Sequence, residues 1–150
     1  MRVMVVDDSA VVRQTLMMIL GHEGFEVMTA ADPIIALDRL RTFTPDVILL
    51  DLEMQRMDGL SFLETLMAER PLPVVICSAV ARRGTEQALH ALEHGAVDIV
   101  AKPQAGVRQF VFGMPSEAIA RGGVERVLPL PEIARALMSC RKERSYVLQK

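Results

Sequence analysis

The sequence predicts an α/β protein in which helices cover a doubly wound parallel sheet of five strands. Short apolar runs alternate along the chain with longer segments of helical period, which is typical of βα units. Of the 150 residues, 51% are hydrophobic and only 4% are aromatic. A chain of this length has room for one domain and an appendage. We therefore expect one core, built from aliphatic side chains and methionines.

Five short apolar runs predict the strands of this sheet. Unbroken apolar runs are typical of parallel strands that are covered on both faces. Val47-Ile48-Leu49-Leu50 is the clearest of them. The predicted strands are 3–6, 25–29, 47–50, 73–77 and 97–101.

The segments between the runs carry the signals of helix ends. Ser9 can cap the first helix, and Asp32-Pro33 opens the second with a cap residue and a proline in the first turn. Gly95 ends the fourth. The side chains expected to face the core are Val12, Leu16, Ile19 and Leu20, then Ile34, Leu37 and Leu40, then Leu60, Leu63, Leu66 and Met67, and last Ala88, Leu89 and Leu92.

Two further groups of side chains are interpreted as structural. Met17, Met18 and Met28 are expected to fill the aliphatic core. His90 and His94 lie four residues apart on a predicted helix, a spacing that can hold a metal, but no third ligand is evident. We expect both histidines to be solvated.

The charge distribution argues against a nucleic-acid partner. Up to residue 103 the chain has 9 Lys and Arg against 15 Asp and Glu, whereas from residue 104 it has 8 against 4. The basic residues are not interleaved with aromatic residues and form no stripe, as a nucleic-acid surface would require.

Membrane insertion and export are also not expected. The longest stretch without a charged residue is 71–81, which is 11 residues long, against roughly 18 for a membrane-spanning helix. Asp7 and Asp8 follow the N-terminus too closely for a secretory signal. Cys77 and Cys140 are isolated thiols, which fit a reducing compartment. These observations predict a cytoplasmic location.

Polar side chains follow four of the predicted strands. Asp7 and Asp8 follow the first, Asp51 the third, Ser78 the fourth and Lys102 the fifth. Because the carboxyl ends of parallel strands meet at one edge of a sheet, these groups should lie together. Crowded carboxylates raise one another's pKa unless a cation compensates them. Mg²⁺ favours such ligands, so we expect Asp8 and Asp51 to bind it directly and Asp7 to hold a coordinated water.

A carboxylate at such an edge can also act as a nucleophile toward a phosphoryl group. Asp51 ends the most buried strand and is the best placed. The added charge would need Lys102 as a cation and Ser78 as a hydrogen-bond donor. Lys102-Pro103 is a candidate cis peptide.

Four motifs stand in a fixed order over residues 1–103. They are Val5-Val6-Asp7-Asp8-Ser9, the segment 49–59, Cys77-Ser78-Ala79 and Val100-Ala101-Lys102-Pro103. Together they resemble the receiver domain of two-component response regulators, and their order makes the resemblance specific. More narrowly, Asp-Leu-Glu-Met at 51–54 and the segment 95–103 resemble the receiver of the chemotaxis protein-glutamate methylesterase.

The resemblance implies a flavodoxin-like sheet with strand order 2-1-3-4-5 and a role in two-component, chemotaxis-type signalling. A histidine kinase of the CheA type would be the phosphoryl donor. The residues it assigns are Asp51 as phosphoacceptor, Asp7, Asp8, Asp51 and the Glu53 main-chain carbonyl as the Mg²⁺ site, and Ser78 and Lys102 as switch residues. The downstream partner and the oligomeric state, a homodimer included, stay open.

The chain departs from the family pattern at two positions. Gln55 stands where the family usually has Pro, and Ile99 where many receivers have the Tyr or Phe that rotates on activation. Glu53 and Val80 flank the site, two residues beyond the phosphoacceptor and the switch serine. We expect them to control access of the hydrolytic water.

Residues 104–150 are predicted to form an extension outside the receiver, 1–103. The segments 110–120 and 123–138 resemble the end of the methylesterase catalytic domain. None of the six serines lies in a Gly-x-Ser-x-Gly turn, so we expect no esterase activity. We expect residues 131–144, through Ile133, Leu137 and Met138, to supply the fifth helix of the receiver. The segment 116–120 competes for that role.

Three functions are compatible with these residues. The leading one is a phosphorylation-controlled switch. The second is a module without output that binds a kinase or acts as a phosphate sink. The third is a phosphatase of the haloacid dehalogenase type, which is discounted because Glu53 stands where that family has a second Asp.

Overall fold

The computed structural model describes residues 1–79, 85–102, 133 and 135–140. Strands and helices alternate from β1 to β5, as the apolar runs predict. The elements are β1 (Arg2–Val6), α1 (Ala10–His22), β2 (Glu26–Ala30), α2 (Pro33–Arg39), β3 (Val47–Leu50), α3 (Gly59–Glu69), β4 (Val74–Ser78), α4 (Glu86–Glu93) and β5 (Asp98–Ala101).

The five strands form one parallel sheet in the order β2-β1-β3-β4-β5. The predicted fold class and strand order are therefore confirmed. Because the chain reverses its direction of winding after β2, a crevice opens between the carboxyl ends of β1 and β3.

Successive strand residues enter two separate cores. Met4, Ile48 and Ile76 belong to one apolar cluster, whereas Val5, Leu49 and Val75 belong to the other. Alternate side chains of a strand point to opposite faces, so the clusters lie on the two faces of the sheet. Helices α2, α3 and α4 cover the first cluster and α1 covers the second.

A helical segment from the tail completes the second cluster. Residues 133 and 135–140 are helical, and Ile133, Ala136, Leu137 and Cys140 are buried beside α1. Two of the three predicted contacts are thus present, whereas the prediction for Met138 is wrong, because this side chain is 48% exposed.

Other predictions about the tail stay predictions. The segment 116–120 and the Lys102–Pro103 bond extend outside the described residues. The division into a receiver and an extension at residue 103, and the assignment of the tail helix as the receiver's own fifth helix, also remain predictions.

Helices α2 and α4 are rotated relative to their predicted faces. Burial in α2 falls on Pro33 and Ala36 and in α4 on Ala88 and Ala91, and consecutive helical residues are turned by about 100°. α1 buries the four side chains that were predicted, and its methionines lie outside that arc. The side chains predicted inside but found exposed are Ile34, Leu89, Leu92, Met17 and Met18.

The predicted helix caps are present. Ser9 Oγ accepts a hydrogen bond from Val12 N, and Asp32 Oδ1 accepts one from Ile35 N. Each satisfies a backbone N–H that the first turn of a helix leaves without a partner. Among the described helices, none has the length and apolar character needed to cross a bilayer.

Candidate functional site

The predicted site residues meet at the carboxyl edge of the sheet because the strand hydrogen bonding continues past the strand ends. Asp51 N donates to Val6 O over 2.9 Å, so Asp51 lies beside Asp7. On the other side, Lys102 N donates to Ser78 O over 3.2 Å. β1, β3, β4 and β5 therefore deliver their polar residues to one place.

The three carboxylates form one cluster. An oxygen of Asp7, of Asp8 and of Asp51 all lie within 4.8 Å of one another. Asp7 is 2% exposed and Asp51 is 1% exposed, whereas Asp8 faces solvent. Three oxygen ligands at this spacing, one of them open to water, fit a hard divalent cation such as Mg²⁺.

Lys102 reaches into this cluster from the end of β5. Its Nζ lies 2.9 Å from Asp7 Oδ2 and 2.9 Å from Asp51 Oδ2. Burial alone would lower the pKa of Lys102, but the hydrogen bonds to Asp51 and Asp7 outweigh it and the pKa is raised. The ammonium therefore stays charged between the two carboxylates.

For the Asp7 carboxylate, burial has a larger effect on the pKa than the hydrogen bonds do. Burial raises its pKa above the ordinary value, and this effect exceeds the opposing hydrogen bonds from Lys102 and from Ser9 N. Its Oδ1 accepts the Ser9 N–H at 2.8 Å. The charged form of Asp7 is thus held at a cost in free energy, which a bound cation would offset.

The other predicted residues surround this cluster. Ser78 ends β4 and is 1% exposed, and Ile99 is buried in the core below the site. Glu53 is exposed, and its N–H donates to Asp51 Oδ1 over 3.1 Å. Val80 lies outside the described residues.

Cys77, next to Ser78, takes no part in this chemistry. Its side chain is buried, and burial raises the pKa of its thiol to about 12. A thiol in this state is a structural part of the core rather than a nucleophile.

Two supporting residues were not predicted. Arg13 Nη1 donates to the Asp7 carbonyl over 2.8 Å and holds the turn that carries two carboxylates. Gly59 packs against the backbone that follows β3: a Cβ there would lie 2.6 Å from Leu52 Cα and closer still to the Asp51 carbonyl oxygen. The Met-Asp-Gly motif at 57–59 was the available signal for Gly59, whereas Arg13 had none.

The sequence profile of the response regulator receiver domain matches residues 3–109. The chain belongs to this family. It is a receiver domain of the kind found in CheB-like response regulators, which act in two-component signalling of the chemotaxis type.

Curated relatives support this placement. The chain is 51% identical over 140 residues to protein-glutamate methylesterase/protein-glutamine glutaminase 1 of Anaeromyxobacter dehalogenans, covering 87% of this chain and 40% of the relative. It is 47% identical over 138 residues to protein-glutamate methylesterase/protein-glutamine glutaminase 2 of Chromobacterium violaceum, covering 85% of this chain and 39% of the relative. The chain thus spans well under half the length of these relatives.

Solved structures of receiver domains are also similar to this chain. The response regulator domain of Thermotoga maritima CheB is 29% identical, with a TM-score of 0.71 over 93% of this chain and 95% of that one. The chemotaxis protein CheY4 of Vibrio cholerae is also 29% identical, with a TM-score of 0.63 over 69% of this chain and 88% of that one.

Proposed function

We propose that Asp51 accepts a phosphoryl group from a histidine kinase of the CheA type and that its phosphorylation switches a partner surface of this protein. The observation that carries the proposal is the buried Asp51 carboxylate, which has Lys102 Nζ at 2.9 Å and two further carboxylates close by. Family membership supports a phosphorylated aspartate, and Asp51 is the carboxylate that ends the central strand β3.

Asp7, Asp8 and Asp51 would hold Mg²⁺, with the Glu53 main-chain carbonyl as a fourth protein ligand. The separation of their oxygens, within 4.8 Å, supports this assignment for the three carboxylates. When bound, the ion supplies positive charge that neutralises the oxygens of the transferring phosphoryl group.

The transfer itself needs a nucleophile and an arrangement of charge. An Asp51 carboxylate oxygen forms a bond to phosphorus as the bond from phosphorus to the kinase histidine nitrogen breaks, and that nitrogen keeps the electron pair. Lys102 then pairs with the new negative charge, and the Ser78 hydroxyl donates a hydrogen bond to it. Positioning accounts for most of the catalysis in such transfers.

Three residues are proposed to modulate the switch. Glu53 and Val80 would control the approach of the water that hydrolyses the phosphorylated form. Ile99 stands where other receivers have an aromatic residue. Its aliphatic side chain lies in the core, so this receiver would switch without the rotation of an aromatic side chain.

We also propose that the protein acts in the cytoplasm, where the kinase would act. We propose no esterase activity for these 150 residues. The six serines include none in a Gly-x-Ser-x-Gly turn. Release of methanol from a methylated receptor by this chain would contradict the second statement.

A phosphotransfer assay tests the function directly. The kinase is autophosphorylated with labelled ATP and mixed with the wild type, with Asp51→Asn or with Asp38→Asn. Asp38 is a suitable control because its side chain is 78% exposed on α2. We expect label on the wild type and on Asp38→Asn only. Label retained by Asp51→Asn would refute the assignment.

A sink without output predicts a different binding behaviour from a switch. Partner affinity measured with and without beryllofluoride, a phosphoryl analogue, separates the two. A switch requires different affinities, whereas equal affinities would favour the kinase-binding or sink module.

A further inference from the structure

Two histidines at the end of α4 lie outside the carboxylate cluster. His90 and His94 are four residues apart, and residues at this spacing lie on the same face of a helix. His94 follows the last residue of α4, but its N–H still donates to His90 O over 3.0 Å, so the helical turn between them is complete. The ring centroids are 6.2 Å apart and the ring planes are inclined at 60°. The pair can therefore offer two nitrogens to one ion.

A third metal-binding side chain comes from α3. The sequence shows no third ligand for this pair, whereas in the fold Glu64 Oε1 lies 3.3 Å from His94 Nε2. The end of α4 packs closely on α3 here: a Cβ at Gly95 would lie 3.4 Å from Met67 Cγ, one turn of α3 beyond Glu64. Two helices thus bring two imidazoles and a carboxylate to one place.

The distances suit a tetrahedral zinc ion. Zn²⁺ binds histidine nitrogen and carboxylate oxygen at about 2.0–2.2 Å, so neighbouring ligand atoms of a tetrahedral site lie about 3.4 Å apart. His94 Nε2 and Glu64 Oε1 are already close to this separation, at 3.3 Å. Two histidines bound through Nε2 would have ring centroids about 5 Å apart, against the 6.2 Å of His90 and His94. His90 must turn toward the ion, and its exposed side chain leaves room for that rotation.

We propose that His90, His94 and Glu64 bind Zn²⁺ between α3 and α4. Two imidazoles and a carboxylate favour zinc and related transition metals, whereas Mg²⁺ prefers oxygen ligands alone. The side chains of His94 and Glu64 are 38% and 55% exposed, so the ion reaches them from solvent and water takes the fourth position. This site shares no residue with the carboxylate cluster and stands apart from the proposed phosphorylation of Asp51.

Isothermal titration with zinc chloride measures the affinity, with excess Mg²⁺ present to occupy the carboxylate cluster. The ligand variants are His90→Gln, His94→Gln and Glu64→Gln. His22→Gln and Glu69→Gln are matched controls, because His22 ends α1 on the other face of the sheet and Glu69 is an exposed carboxylate at the end of α3. Visible absorption of the Co²⁺ form reports four-coordinate geometry. Circular dichroism checks that every variant is folded.

We expect the wild type to bind one Zn²⁺ and each ligand variant to lose at least about tenfold in affinity. Both controls should bind zinc as the wild type does. Zinc should also raise the melting temperature of the wild type, because it binds the folded arrangement of the two helices, and His94→Gln should not show this rise.

Three outcomes would overturn the proposal. The first is a wild type that does not bind zinc. The second is His90→Gln binding zinc as tightly as the wild type, since the site needs both histidines. The third is loss of zinc binding in Asp51→Asn, because the ion would then lie in the carboxylate cluster.

Discussion

Lys102 Nζ lies 2.9 Å from Asp51 Oδ2, although the two residues are 51 positions apart in the sequence. The same ammonium lies 2.9 Å from Asp7 Oδ2. Its side chain is only 14% exposed. One cation thus offsets two buried carboxylates, and the free energy of the site depends on this balance.

Replacing Lys102 by Met should destabilise the protein at pH 7. The variant leaves two buried carboxylates facing each other without their cation, and breaking a buried ion pair costs about 3 kcal/mol. Urea unfolding measures the loss. Asp51→Asn in the Lys102→Met background should recover part of it, because one of the opposed charges is then gone. A variant as stable as the wild type would contradict this account.

The pH dependence of that loss has a definite sign. The folded-state pKa of Lys102 is raised above its ordinary 10.5. Its stabilisation is therefore fully present below pH 10.5 and is lost as the pH rises through the higher folded value. The difference between the wild type and Lys102→Met should stay level from neutral pH to about pH 10 and shrink above it.

Replacing Asp7 by Asn should have the opposite effect on stability. Burial raises the pKa of Asp7 above its ordinary 3.8, so its favourable contribution is complete below pH 3.8 and is lost as the pH rises through the folded value. At pH 7, which is above the ordinary pKa, burial of this carboxyl group is a net cost, which Asn removes. We expect a gain of about 1 kcal/mol in the free energy of unfolding, since one proton changes stability by at most about 1.4 kcal/mol per pH unit.

Urea unfolding at several pH values checks the Asp7 prediction. The advantage of Asp7→Asn should decline as the pH falls toward 3.8. The control Asp38→Asn changes an exposed residue and should stay within about 0.5 kcal/mol of the wild type. A loss of stability in Asp7→Asn at pH 7 would refute the prediction.

Replacing Gly59 by Ala should disturb the backbone that carries Asp51. The new methyl group would meet the Asp51 carbonyl and Leu52 Cα, both of them backbone. We expect a loss of about 2 kcal/mol and slower phosphorylation of Asp51. Gly21→Ala is the control, because nothing lies within 4 Å of its Cβ position in α1 and alanine favours a helix. Stability that is unchanged in Gly59→Ala would contradict the close approach.

Leu137 and Met138 test the packing of the tail helix. Leu137 is fully buried and Met138 is 48% exposed. Leu137→Ala should lower the free energy of unfolding by about 3 kcal/mol, and Met138→Ala by about 0.5 kcal/mol or less. Thermal and urea unfolding give both values. Equal effects of the two substitutions would mean that the helix does not cover this face of the sheet.

The sequence was sufficient for the fold because its strongest signals are local. Unbroken apolar runs mark strands that are buried on both faces, and Ser9 and Asp32 mark helix starts through their own hydrogen bonds. The site followed from the same signals, since residues after parallel strands share one edge of the sheet.

The buried faces of α2 and α4 were less predictable, and the reason is physical. In α4, Ala88, Leu89, Ala91 and Leu92 allow two apolar faces about 100° apart. The two alanines are buried against the core, and the two leucines are exposed. Hydrophobicity alone favours the leucines, so burial depends on neighbours that the local sequence does not contain.

The contacts of Arg13 and Arg56 were also beyond local patterns. Each joins two loops or a helix and a loop through a long side chain. Such partners depend on distances that exist only after the chain has folded.

The most direct measurement is the position of the phosphoryl group in the chain. Reduction of the phosphorylated protein with labelled borohydride converts an aspartyl phosphate into homoserine and marks its position. Tryptic digestion then isolates residues 42–56, which contain Asp46 and Asp51. We predict labelled homoserine at position 51 alone. Label at Asp46, or in the peptide that carries Asp7 and Asp8, would contradict the assignment of Asp51 as phosphoacceptor.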